Sequence, residues 1–199
     1  MTDEYKEKKK KEILASARAC FARKGFESST MDDIVAQSGI SKGAIYNYFK
    51  SKDEIYLELM SVDTNEAYAY ISQSISRITS TMAKIEFLFD EYLSFNPADE
   101  EAKGKNIVHT EFKLHSSRKE HLNRIMNTRR KKFFVDFVAS ILKEGQEHGE
   151  IQMDIDPELF SNLFWSMIDG AVLQTVYPDF PYKKVLQEIK NLFTDKVRI

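Results

Sequence analysis

Between Thr30 and Lys52 the chain reads TMDDIVAQSGISKGAIYNYFKSK, a run that permits very few local folds. Thr30, followed three residues later by Asp33, is a capping pair that opens a helix. Met31, Ile34 and Val35 give that helix an apolar stripe. Gly39 stands where the chain must reverse, and glycine takes a left-handed backbone without steric penalty. Ser41 is a suitable N-cap for a second helix, and Lys42 to Tyr48 supplies two turns of it. Ile45 and Phe49, four apart, share its inner face. Lys42, Tyr46 and Asn47 are then left outward, with Tyr48 near the edge. Two short helices joined by a tight turn describe a helix-turn-helix whose second helix is sized for a DNA groove.

The flanking residues complete a small unit. Ile13, Leu14, Ala17 and Phe21 recur at helical spacing and predict a helix over 8–24, stopped by Gly25, with Phe26 folding back on its last turn. Ser51 and Glu54 form a second capping box, so a fourth helix starts directly behind the reading segment. Phe21, Phe26, Ile34, Ile40, Ile45 and Phe49 are the expected core of the first three.

The run from Ile13 to Leu59 resembles the N-terminal domain of TetR-family transcriptional regulators. The matching features are Phe21-x3-Gly25-Phe26, Thr30 opening the second helix, Ile34-x4-Gly39-Ile40-Ser41-Lys42-Gly43 and Ile45-Tyr46-x2-Phe49-Lys50-Ser51-Lys52. The resemblance covers about a quarter of the chain; the remainder matches in layout only. Val35 is a departure, standing where such motifs often carry alanine at the helix crossing.

Composition fits this reading. Four prolines and seven glycines in 199 residues leave long stretches without breakers, which favours an all-α fold. The opening MTDEYKEKKKKE lacks the apolar stretch of a signal peptide, and no run has the length of a membrane span. The single cysteine, Cys20, permits neither an internal disulfide nor a cysteine-based zinc site. A cytoplasmic protein is expected. Residues 1–52 hold eleven Lys/Arg against seven Asp/Glu, a net +4; residues 53–199 hold eighteen against twenty-four, a net −6. Basic charge is thus concentrated at the end that would meet phosphate.

We therefore expect two units, a DNA-binding domain over 8–60 and a larger helical domain over 61–199, with about nine helices in all. Beyond Lys52 the predicted helices are 52–77, 81–95, 107–114, 118–147, 156–177 and 182–197, with the polar stretch from Asn96 to Lys105 as a loop. Asp156-Pro157-Glu158 pairs an N-cap with proline at the first helical position. The larger domain is crowded with aromatics, and core packing accounts for most of them. The resemblance implies an effector pocket between its middle helices, with Phe87, Tyr92, Phe112, His115, Phe137 and Trp165 as candidate lining residues for a small apolar or amphipathic ligand.

The last two helices are apolar on more than one side, which suits packing inward and against a second copy. The resemblance implies a homodimer built from these helices, and Phe160, Phe164, Ile168, Val185, Ile189 and Leu192 are the candidate interface residues. A deeply buried helix pair in a monomer is the alternative.

At DNA, Lys42 suits guanine acceptors and Asn47 suits adenine. Tyr46 and Tyr48 suit phosphate, sugar or a thymine methyl, and Gly43 and Ala44 let the backbone come close. Thr30, Ser41, Lys50 and Lys52 are candidate phosphate contacts; helix capping alone is the alternative for Thr30 and Ser41. The run Lys8 to Lys11 either reaches flanking phosphate or is a solvated face, and Arg129 to Lys132 decorates an outer face. His109, His115, His121 and His148 lack metal-ligand spacing, and no catalytic constellation or cofactor motif stands out. The expectation is a ligand-responsive homodimeric repressor on a palindromic operator. Two other classes remain open: a helical ligand carrier or enzyme with an incidental motif, and an architectural DNA binder without effector.

Overall fold

Helices account for more than three-quarters of residues 3–199, the part of the chain described in this computed structural model; Met1 and Thr2 of the charged opening segment lie outside it. In chain order they are α1 (Asp3–Lys24), α2 (Met31–Ser38), α3 (Lys42–Tyr48), α4 (Lys52–Ile75) and α5 (Thr81–Leu93). There follow α6 (Glu100–Ser117), α7 (Glu120–Arg130), α8 (Asp136–Glu147), α9 (Pro157–Gln174) and α10 (Tyr182–Val197). A five-residue π turn, Lys131–Val135, joins α7 to α8. Counted as one rod, they leave nine helices among the described residues. The only extended pairing there is a single bridge, Ile151 to Arg198.

Several helix ends shift by two or three residues, and two helix starts lie well ahead of expectation. α1 begins at Asp3, a turn and a half ahead of Lys8. α6 begins at Glu100, inside the stretch expected to be a loop. Asp99 causes this: its carboxylate accepts from the amides of Glu101 and Ala102, and two glutamates follow in the first turn, where the helix dipole favours negative charge.

There are two hydrophobic cores. One gathers Ile13, Phe21, Phe26, Ile34, Ile45, Phe49 and Ile55 from α1–α4, and it also takes in Val108 and Phe112 from α6. The boundary expected at residue 60 therefore does not separate the packing: the first core borrows a face of α6. The other lies among α5, α8, α9 and α10, where the rings of Phe89, Phe164 and Phe193 meet edge-on at 4.8–5.8 Å. α4 spans both, with Tyr56 and Leu59 in the first core and Ile71 and Ile75 packed on the second.

The π turn is held from outside, its carbonyls accepting side-chain donors from α9. Trp165 donates its indole N–H to the Phe134 carbonyl at 2.9 Å, and Ser161 donates to that of Val135 at 2.8 Å. At the far end of α8, Gly145 is fully buried where Ile151 and Thr81 cross it, and a Cβ would collide with both side chains. Gly145→Ala should therefore destabilise the fold by about 1–3 kcal/mol, although alanine is the better helix former by about 1 kcal/mol. Urea denaturation measures this, and unchanged or raised stability would show that the crossing has room to give.

Candidate nucleic-acid interface

The reversal between α2 and α3 is built by local chemistry. Thr30 accepts from the Asp33 amide at 3.1 Å, and the Asp33 carboxylate returns to the Thr30 amide at 2.9 Å, completing the capping box. The Lys24 ammonium beside Asp33, helped by the two hydrogen bonds from Thr30, holds that carboxyl down at about 2. The cap is consequently charged at any ordinary pH. Gly39 ends α2 at φ 66°, a value that strains a side-chain-bearing residue, and its amide donates to Val35. Ser41 then caps α3 through the Ala44 amide.

α3 is held from behind. Ile45 has no exposed surface and Phe49 only 4%. On its other side Ser41, Lys42, Gly43 and Asn47 are exposed, while Ala44 and Tyr46 are half-buried. Lys42 pairs with Asp32 of α2 at 2.7 Å, and both side chains are more than half exposed. Such a surface pair is readily exchanged for another acceptor. Lys50, exposed beyond the end of α3, donates to the Tyr46 carbonyl at 2.8 Å and keeps two further N–H groups.

Three expected DNA contacts are otherwise engaged, the first being Thr30, which spends its one O–H on Asp33 Oδ2 at 2.8 Å. The Tyr48 hydroxyl is buried and has no hydrogen-bond partner among the described residues, and its ring packs on the N-terminal core. Lys52 donates to the carbonyls of Phe26, Glu27 and Ser29 at 2.7, 3.0 and 2.9 Å, which uses all three of its N–H groups. Its ammonium also lies 4.5 Å from the Phe26 ring centroid. Lys52 fastens the α1–α2 turn and has no donor left for phosphate.

Residues 13–59 match the family described as bacterial regulatory proteins, tetR family, and residues 85–186 match the tetracyclin repressor-like C-terminal domain. The HTH-type transcriptional regulator YfiR of Bacillus subtilis is 30% identical over 181 residues, 90% of this chain and 85% of that protein. The chain belongs to the TetR family. A fatty acid metabolism regulator protein of the same organism is 25% identical over 177 residues, 87% of each chain. In fold the chain resembles B. subtilis FadR in complex with stearoyl-CoA (TM-score 0.78, 24% identity, 94% of this chain and 98% of that one). A regulator from Saccharomonospora viridis in complex with choline gives 0.82 at 19% identity, covering 97% and 99%. The protein is thus a DNA-binding regulator of transcription.

In this TetR-family chain the six candidate lining residues do not lie together. Phe87, Tyr92, Phe137 and Trp165 are half-buried around the C-terminal core, with Tyr92 and Trp165 edge-on at 6.0 Å. Phe112 and His115 lie elsewhere. Phe112 is fully buried against Phe26 and Tyr56, and His115 stacks near the same rings. The C-terminal half of α6 leans on the DNA-binding domain and carries both away from the other four. A residue set aside in the sequence is also half-buried: on His109 of α6, desolvation, reinforced by the Lys113 charge, pushes the imidazole down to about 4.

The six candidate interface residues also divide. Phe164 and Ile168 are 0% and 1% exposed, inside the chain's own core. Phe160, Val185 and Ile189 are half-buried and Leu192 is 63% exposed. α9 shows a different outer stripe, with Leu159, Leu163 and Leu173 at 55%, 42% and 46% exposure. Lys52→Ala should lower the stability of the DNA-binding domain by about 1–3 kcal/mol, because three carbonyls lose a charged donor. Denaturation followed by far-UV circular dichroism measures it, and a variant as stable as the parent would mean that water replaces the ammonium without loss.

Proposed function

We propose that the chain acts in the cytoplasm as an effector-responsive homodimeric repressor that reads a near-palindromic operator with two copies of α3. The observation that carries this reading is the α3 face itself. Lys42, Gly43 and Asn47 stand clear of the protein on a helix whose opposite side, Ile45 with Phe49, is locked into the core. Lys42 and Asn47 address base edges, and Tyr46 addresses sugar or a thymine methyl. Gly43 and Ala44 allow close backbone approach, while Ser41 and Lys50 take phosphate.

Dimerisation through α9 and α10 follows from apolar surface left unpaired. Leu159, Leu163, Gly170, Leu173 and Tyr177 recur along one exposed side of α9 and just beyond it, and Leu192 stands outward on α10. Gly170 has open space where a side chain would be, which lets a second helix approach closely. A two-fold pair would present its recognition helices to successive major grooves.

The effector reading rests on the half-buried rings Phe87, Tyr92, Phe137 and Trp165, packed on the C-terminal core. Structures with this fold hold stearoyl-CoA and choline, which supports an amphipathic small molecule here. Such a ligand lowers operator affinity only if it binds the DNA-incompetent arrangement more tightly. Movement of α4, which spans both cores, would carry that preference to α3.

Selection of bound duplexes from random DNA tests the whole reading, and the expected product is a two-fold-related pair of half-sites. Failure to enrich any sequence would reject it. On the selected site, Asn47→Ala should relax preference at one or two positions by about 1–3 kcal/mol each. Lys50→Ala should instead reduce the slope of log affinity against log salt by about one unit per subunit, leaving preference intact. Identical slopes would remove Lys50 from the phosphate contacts. Leu163→Asp with Leu192→Asp should sediment as a monomer, and a surviving dimer would place the interface elsewhere.

A further inference from the structure

On α6, His115 sits between carboxylates from two separate parts of the DNA-binding domain. Its Nδ1 is 2.9 Å from Glu27 Oε1, in the turn between α1 and α2. Its Nε2 is 3.0 Å from Asp53 Oδ1, in the first turn of α4. Lys119, from the turn after α6, reaches the other Asp53 oxygen at 2.8 Å. The imidazole packs against the rings of Phe26 and Phe112. Its side chain is 15% exposed and that of Asp53 14%, against 60% for Glu27. Nearby charges are otherwise committed: Glu111 accepts from the Phe26 amide, and Lys52 donates to the three carbonyls of the same turn.

A carboxylate only accepts, and a neutral imidazole has a single N–H. Serving both carboxylates requires a proton on each nitrogen. Removal of one proton turns a bare lone pair toward a negative oxygen. We infer that His115 is a positioning residue for DNA binding, whose imidazolium clasps Glu27 to Asp53 and fixes the starts of α2 and α4 relative to α6.

Glu27 stands three residues ahead of the Thr30 cap, and Asp53 three residues after Lys50. The clasp therefore orders the start of α2 and the segment carrying Lys50, which DNA would otherwise have to order on binding. Operator affinity falls as pH rises from mildly acidic to mildly alkaline and that proton is lost. His109, already neutral there, adds nothing to the change. The exposed His121 and His148 contribute equally to every variant compared.

This inference rests on the DNA-binding reading, and the test separates the two. Affinity of the full chain for a duplex selected by the wild type is measured at about pH 6 and pH 8 at fixed salt. The wild type should weaken about fivefold or more, and Glu27→Gln, which leaves a neutral ring only one carboxylate to serve, less than about twofold. His115→Arg, charged throughout, should keep the wild-type low-pH affinity at both. Equal pH dependence in wild type and Glu27→Gln would overturn the clasp while leaving the operator reading intact. Glu27 is exposed, so its replacement leaves the core untouched. Without DNA, the wild type should melt above Glu27→Gln at the lower pH and lose that margin at the higher. An unchanged margin would overturn the clasp even where no operator had been recovered.

Discussion

The ring of Phe26 is fully buried in the turn after α1, where it touches Phe21, Tyr56, Phe112 and His115 at centroid distances of 4.9–5.5 Å. The Lys52 ammonium closes over its face. Through these contacts one aromatic side chain joins α1, the start of α4 and the end of α6. The carbonyl of Phe26 accepts from Lys52 and its amide donates to Glu111. Backbone and ring are thus both tied to elements outside the helix-turn-helix. Aromatic burial of this size typically contributes several kcal/mol, and here it also anchors the turn that leads into α2. The orientation of α3 follows, since α2 and α3 are coupled through Gly39 and the shared core.

This arrangement makes the junction between the two cores part of the DNA-binding domain. Val108 and Phe112 belong to the N-terminal core, yet α6 also reaches the C-terminal domain, where Lys113 pairs with Asp169 of α9. Arg18 of α1 holds Asp63 of α4 through two hydrogen bonds of 2.6 and 2.8 Å. α6 and α4 are thus tied directly to α1 and to the turn that precedes α2. Packed cores adjust in discrete steps more than by continuous deformation, which suits a regulator with two operating states.

What could be read from the sequence was what short-range chemistry determines. The Thr30–Asp33 cap, the left-handed Gly39, the Ser41 cap, the buried pair Ile45 and Phe49 and the Pro157 helix start each involve residues within four positions. All are found in the structure. Long-range partners were not legible. The donation of Lys52 to residues 26–29 spans more than twenty positions, and Phe112 and His115 meet the N-terminal domain across more than eighty. An aromatic on a helix face carries no mark of which core it enters, so Phe112 reads like Phe87 until the fold is known. The same holds for α9. Its apolar residues wrap more than one side, and only packing shows that Phe164 and Ile168 face inward while Leu159 and Leu163 do not. The Asp99 start of α6 was available in the sequence, but the polar run around it resembles a loop.

The central claim is that the outward side of α3 enters the major groove, and chemical protection of guanine reports on this most directly. Dimethyl sulfate methylates guanine N7 in the major groove and adenine N3 in the minor groove. With the wild-type protein bound to its selected duplex, guanine N7 should be shielded in two patches whose centres lie about one helical turn or a multiple of it apart. Protection confined to adenine N3, or a pattern unchanged when Lys42 and Asn47 are both replaced by alanine, would contradict it.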